Sequence, residues 1–163
     1  MFPTYRRSKP LKEMLAPSQF RVTSTKNRSE ENGGCSKCNK KCDLCKNLLI
    51  QASKFQSSAT GHQYPIQQKL SHPSQNVIYL ATCIECNLQY KGYTSTEFKV
   101  RVCNHKSNML KDKRTCELAI HFNNSAHEIS QINFIIIEQI RLFINSLHLD
   151  QLLLTREVHW TAQ

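Results

Sequence analysis

The clearest hydrophobic pattern begins at Asn76. Val77-Ile78-Tyr79-Leu80 is a short apolar, β-branched run bounded by polar residues, which predicts a strand over 76–82. Cys83 and Cys86 flank a turn, and 88–93 returns as a second strand. Gly92 inside that strand predicts a bulge or a close approach to the backbone. Thr94 and Glu97 have capping-box spacing, so a helix is expected from Thr94. Along it Phe98, Val102 and Met109 can face a core, whereas Arg101 and His105, four apart, share another face. A third strand is predicted over 132–137. Leu153, Arg156, Glu157 and Trp160 recur at helical spacing and predict a last helix over 150–160.

Upstream the pattern fades. Residues 1–34 carry Pro3, Pro10 and Pro17 among polar and charged residues, and only Leu11, Met14 and Leu15 suit a helical turn. This leader is expected to be largely disordered. Gly33-Gly34 marks a boundary. A short helix is expected over 47–54, Gly61 and Pro65 break the chain, and 63–66 reads as an extended edge segment. Four regions follow: a basic leader (1–34), a cysteine-rich segment (35–54), a connecting segment (55–75) and a core (76–163).

Charge sharpens that division. The net charge is +10, of which residues 1–54 carry +8 and residues 55–163 only +2. A basic tail of this kind favours polyanions, and nucleic acid is the usual one. No run approaches the roughly 20 apolar residues of a membrane span. The first residues, MFPTYRRSKP, lack the apolar core of a signal peptide. An intracellular protein without a membrane partner is expected. Disulfides are rare there, so the eight cysteines point to metal.

Cys35, Cys38, Cys42 and Cys45 form two Cys-x-x-Cys pairs separated by three residues. The surrounding segment is polar and basic, so packing does not account for them. Thiolates at this spacing suit tetrahedral zinc. Lys37, Lys40, Lys41 and Lys46 would offset thiolate charge and could touch phosphate. The gap between the pairs is shorter than in a zinc ribbon. A single four-cysteine zinc site, a cluster shared with other ligands, and an iron–sulfur site all remain open. His121 and His127, with five residues between them, suit a histidine pair completing a zinc site. Cys103 and Cys116 read as plain thiols.

Cutting a phosphodiester requires a base or water-orienting group, charge neutralisation at phosphorus and help for the leaving oxygen. Tyrosine, arginine and a carboxylate holding a divalent cation can supply these. Taken singly, Tyr79 and Tyr90 are ordinary strand aromatics, and Arg101, His105 and Glu157 ordinary helix residues. Their joint order is more specific. Val77-Ile78-Tyr79 and, after ten intervening residues, Tyr90-Lys91-Gly92 resemble the two signatures of the GIY-YIG nucleases. Arg101 and His105 match that family's helix residues, and Arg156-Glu157 with Trp160 match its RE-x-x-W. Cys83, Cys86, His121 and His127 resemble the zinc ligands inserted in the form carried by Penelope-like retroelements. The upstream cysteines, Phe55, Thr60-Gly61, Tyr64-Pro65-Ile66 and residues 5–15 (YRRSKPLKEML) are also similar to it. Val77 stands where Gly is usual, and Lys91 and Thr161 where apolar residues are common. The family's downstream Asn falls beyond the last residue, so the core is read as C-terminally truncated.

The resemblance implies an α/β (α+β) core, with a three-stranded antiparallel sheet flanked by helices. It implies a metal-dependent DNA endonuclease that nicks target DNA to supply a 3′-OH for reverse transcription. Tyr79 would be the general base or position the water, and Tyr90 would orient the scissile phosphate or the base. Arg101 would stabilise transition-state charge, His105 would relay a proton or bind phosphate, and Glu157 would hold one Mg2+ or Mn2+. Lys37, Lys40, Lys41, Lys91 and Gly92 would contact nucleic acid. Zinc at Cys83, Cys86, His121 and His127 would be a structural staple, with a second zinc expected at Cys35, Cys38, Cys42 and Cys45. DNA, the element's RNA and a reverse transcriptase domain are the implied partners, and the nucleus the implied location. The alternative is a zinc-stabilised nucleic-acid-binding module derived from such a nuclease and lacking catalysis.

Overall fold

The computed structural model describes residues 33–38, 42–111, 116–141 and 146–163, with side chains from 148 onward in the last segment. Residues 1–32 of the leader, with the helical turn expected at Leu11, Met14 and Leu15, and the expected phosphate contacts Lys40 and Lys41 lie outside the described residues. The order is β1 (Gly34–Cys35), α1 (Asp43–Asn47), β2 (Lys54–Gln56), β3 (Gln63–Pro65), β4 (Lys69–Leu70), β5 (Val77–Cys83), β6 (Gln89–Thr94) and α2 (Phe98–Leu110). Then follow α3 (Glu117–Asn124), a 3-10 turn (Ile129–Gln131), β7 (Ile132–Gln139) and α4 (Ser146–Thr161). The fold is mixed α and β.

The sheet that organises the rest is antiparallel with strand order β6-β5-β7. In its central strand none of Val77 to Ala81 is more than 2% exposed. Cover on both faces explains why the sequence there is a continuous apolar run and not an alternation. On β7, Ile132, Phe134, Ile135, Ile136 and Ile137 are buried as well. Tyr79 pairs with Gly92 on one side and Ile136 on the other. The one irregularity of the ladder lies between Ile78 and Tyr79 against β7, not at Gly92. Gly92 marks a close approach: a Cβ there would stand 2.7 Å from the Tyr79 hydroxyl oxygen.

Two expected helix boundaries are corrected. The helix anticipated from Thr94 begins at Phe98, with Glu97 as its N-cap but no side-chain cap bond. Thr94 remains in β6, where its Oγ1 accepts from the Thr96 amide. The orphan amides of the first turn are satisfied by an earlier loop: Phe98 N–H donates to the Ser74 carbonyl and Lys99 N–H to the His72 carbonyl. Phe98, Val102 and Met109 are buried along α2 as anticipated, together with His105. The short helix expected over 47–54 lies instead at Asp43–Asn47, where the Cys42 sulfur accepts from the Cys45 amide at the N-cap. Beyond Leu48 the chain is extended, and Leu49 bridges in parallel to Phe134.

Residues 63–65 are extended as β3, antiparallel to β2. This hairpin is joined to the last helix by aromatic packing. Trp160 lies edge-on to both Phe55 and Tyr64, with ring centroids 5.4 and 5.5 Å apart. The Tyr64 hydroxyl donates to the Gln163 side-chain oxygen. The last helix is longer than the 150–160 expected, and packs on β6 and β5. Among the described residues no helix is long and apolar enough to cross a membrane.

Candidate active site and metal centres

Tyr79 is the hub on which β5 and α2 meet. It is fully buried, and its hydroxyl lies 2.7 Å from His105 Nε2 while accepting from Arg101 Nε at 3.0 Å. Arg101 and His105 are one helical turn apart, so both reach the same oxygen. Burial pushes the Tyr79 hydroxyl well above its ordinary range, against the opposing charge of Arg101. Burial, helped by Arg101, pushes His105 down to about 4. Arg101 can only donate, so Tyr79 has its own proton to give to the neutral His105 ring. His105 then carries its proton on Nδ1, which lies 3.7 Å from the Cys116 sulfur. Every member is satisfied in this arrangement, and no buried polar side-chain atom among the described residues lacks a partner.

Beside this hub is a cavity of about 730 Å³ along the outer edge of β6. Its walls include Tyr90, Arg101, Asn108, Cys116, Glu117 and Glu157. Arg101 therefore faces both ways, bonded to the buried Tyr79 and lining the open cavity. Tyr90, not Tyr79, presents its hydroxyl-bearing ring to that space. Burial raises Tyr90, with Arg101 opposing and Glu157 adding to the rise. Glu157 is also raised, by burial first, with Arg101 opposing and Glu117 adding to the shift. Two carboxylates thus share one field. Sequence reasoning missed Glu117; its only local sign is that it stands four residues before His121, on the same helical face.

The RE-x-x-W run has a plain structural division of labour. Arg156 donates through Nε and Nη2 to both oxygens of Glu138 at 2.8–3.1 Å, and Trp160 Nε1 donates to Glu138 at 2.7 Å. Arg156 and Trp160 are four apart and share a face, so one carboxylate on β7 ties both. Glu157, next along the helix, is rotated away from that face and lines the cavity. Lys91, expected at nucleic acid, also lines the cavity, and its amine donates to the Trp160 carbonyl near the C-terminus of α4. Burial lowers its pKa. Gly92 packs closely against the Tyr79 ring. Lys37 is exposed.

Two groups of donors are arranged to hold a metal such as zinc. The first is Cys83, Cys86, His121 and His127, whose ligand atoms all lie within 4.8 Å of one another. Cys83 Sγ is 3.2 Å from His127 Nδ1 and Cys86 Sγ 3.3 Å from His121 Nε2. The group joins the end of β5 and its turn to α3 and the residues after it. The second is Cys38, Cys42, Cys45 and His72. Of the arrangements the spacing left open, this is a cluster shared with another ligand, and it corrects the inclusion of Cys35. Cys35 is 1% exposed and lies in the apolar core, where burial pushes its thiol up. As part of β1, paired with β4, it is held away from the other three. His72 replaces it. No disulfide forms among the described residues. No family model, curated protein or solved structure matches the chain.

Proposed function

We propose that the chain is a metal-dependent DNA endonuclease of the GIY-YIG type, similar to those of Penelope-like retroelements, acting in the nucleus to nick target DNA. One observation carries the reading. Tyr79, Tyr90, Arg101, His105 and Glu157, drawn from two strands and two helices, converge on one hydrogen-bonded hub and its adjoining cavity. Ordinary packing gives no reason for that particular set to meet.

The roles differ from the simplest expectation. A sealed Tyr79 hydroxyl does not reach a water in the cavity, so Tyr79 acts as a positioning residue. It fixes the plane of the Arg101 guanidinium through Nε and leaves the terminal nitrogens for Tyr90 and a phosphate oxygen. Arg101 then offsets the charge that grows on phosphorus in the transition state. Tyr90 orients the attacking water. Neutral His105 accepts a hydrogen bond from the Tyr79 hydroxyl and keeps the hub uncharged apart from Arg101. Glu157 and Glu117 offer hard oxygen donors to one cavity, a set that suits Mg2+ or Mn2+. Bound there, such a cation would supply charge to the phosphate and lower the pKa of a coordinated water.

The alternative is a zinc-stabilised nucleic-acid-binding module without catalysis. Complete burial of the Tyr79 hydroxyl favours it. Plasmid nicking by the zinc-loaded chain with Mg2+ or Mn2+ separates the two. The endonuclease reading expects nicking that falls on the order of 10²-fold or more in Glu157→Ala and Arg101→Ala. Binding without nicking, or nicking indifferent to both substitutions, overturns it.

A further inference from the structure

The donors Cys38, Cys42, Cys45 and His72 have the spacing of a single tetrahedral ion. Zinc bonds of about 2.3 Å to sulfur and 2.0–2.1 Å to nitrogen imply donor separations of roughly 3.6–3.8 Å. Cys38 and Cys42 sulfurs are 3.4 Å apart, and Cys45 Sγ is 3.5 Å from His72 Nδ1. Such distances are far too long for a disulfide, and with all four donor atoms within 4.8 Å of one another the set is too compact for ligands divided between two or more irons. Two backbone amides point at the sulfurs: Cys38 N–H at Cys45 Sγ, 3.3 Å, and Cys45 N–H at Cys42 Sγ, 3.4 Å. Donors aimed at sulfur stabilise the thiolate form that a soft divalent ion requires.

His72 is the informative member. It belongs to a tight turn in which Ser74 N–H donates to the Ser71 carbonyl and Ser71 N–H to the Ser74 hydroxyl. The same turn caps α2, through the carbonyls of His72 and Ser74 on the amides of Lys99 and Phe98. No side chain performs that capping. Phe98 begins the helix and Arg101 follows in its first turn, so the turn at His72 sets where the guanidinium stands.

We propose that Cys38, Cys42, Cys45 and His72 bind one zinc ion, and that this zinc clamps the N-terminus of α2 and so positions Arg101. The consequence for phosphate binding rests on the nuclease reading; the metal site and the clamp do not.

The test uses the full chain. Metal analysis and native mass spectrometry of the wild type should give two zinc ions per chain. His72→Ala should weaken one of them on the order of 10²-fold or more in competition with a chelator. His72→Cys, which keeps a soft ligand, should retain both, and Cys35→Ser should also retain both. Amide hydrogen exchange supplies the second readout. The capping acceptor is the His72 backbone carbonyl, which survives the substitution, so a change there reports the metal. The amides of Phe98 and Lys99 should exchange at least about tenfold faster in His72→Ala and return to wild-type protection in His72→Cys. Two tightly held zinc ions in His72→Ala, or loss of one in Cys35→Ser, overturns the site. Loss of zinc with unchanged exchange at Phe98 and Lys99 overturns the clamp. If metal and exchange behave as stated and the wild type never nicks DNA, the nuclease reading alone fails.

Discussion

Gly92 stands directly across the ladder from Tyr79, and a Cβ at position 92 would lie 2.7 Å from the Tyr79 hydroxyl oxygen and 2.8 Å from a Tyr90 ring carbon. Neither ring can retreat cheaply. The Tyr79 hydroxyl is held by Arg101 and His105, and its ring packs on Phe98 at 5.3 Å between centroids. Gly92→Ala should therefore destabilise the fold by about 1–3 kcal/mol, as overpacked cores do. Urea denaturation measures the loss. An unchanged midpoint would mean that the hub tolerates displacement.

His105 gives the fold a pH dependence with a definite sign. Its pKa is pushed down to about 4 in the folded chain, below the 6.5 of an unperturbed imidazole. Between those values the unfolded chain binds more protons, so stability rises with pH. The contribution is fully present above about 6.5 and is lost as pH falls towards 4, a change of roughly 3 kcal/mol. Wild type and His105→Gln should thus converge in stability as the pH drops through this window. Zinc content has to be followed in parallel, because acid also releases metal from thiolate and imidazole ligands. Parallel curves at constant zinc content would remove His105 from this role.

Glu117 should assist Glu157. Both line the cavity, and Glu117 helps raise the Glu157 carboxyl. Replacing it with Gln removes that neighbouring charge, so the Glu157 pKa falls and the acid limb of a nicking pH profile moves to lower pH. The Mg2+ or Mn2+ concentration for half-maximal nicking should rise about tenfold, the scale of one lost ligand-region charge. Glu157→Gln should be the more severe change. An unaltered profile and metal requirement in Glu117→Gln would show that it acts outside the centre.

Glu138 is the anchor of α4. Its carboxylate accepts from both Arg156 and Trp160, which brings the helix to β7 with Glu157 turned to the cavity. Glu138→Ala leaves a half-buried guanidinium and an indole N–H without their acceptor. About 1–3 kcal/mol of stability should be lost, with nicking falling alongside. The double variant Glu138→Ala with Arg156→Ala should cost less than the sum of the singles. Strict additivity in that cycle would mean the pair is not coupled.

The sequence by itself determined the elements whose signal is local. The apolar run at Val77–Cys83, the isoleucine-rich third strand and the helical spacing of Leu153, Arg156 and Trp160 each report burial through their own periodicity. The Cys83 and Cys86 pair and the His121 and His127 pair were legible for the same reason, since each brings two ligands within a few residues. What was illegible depended on contacts between distant segments. The start of α2 moved to Phe98 because its cap is backbone from His72 and Ser74, which no capping-box spacing encodes. A lone histidine 27 residues from Cys45 carries no ligand signature until the fold sets the two 3.5 Å apart, and Cys35 looks like a ligand until it is found in the core. Tyr79 and Tyr90 are alike as strand aromatics. Only the tertiary structure sealed the first beneath Arg101 and His105 and opened the second to the cavity, because α2 crosses one face of the central strand while β6 remains the sheet's edge.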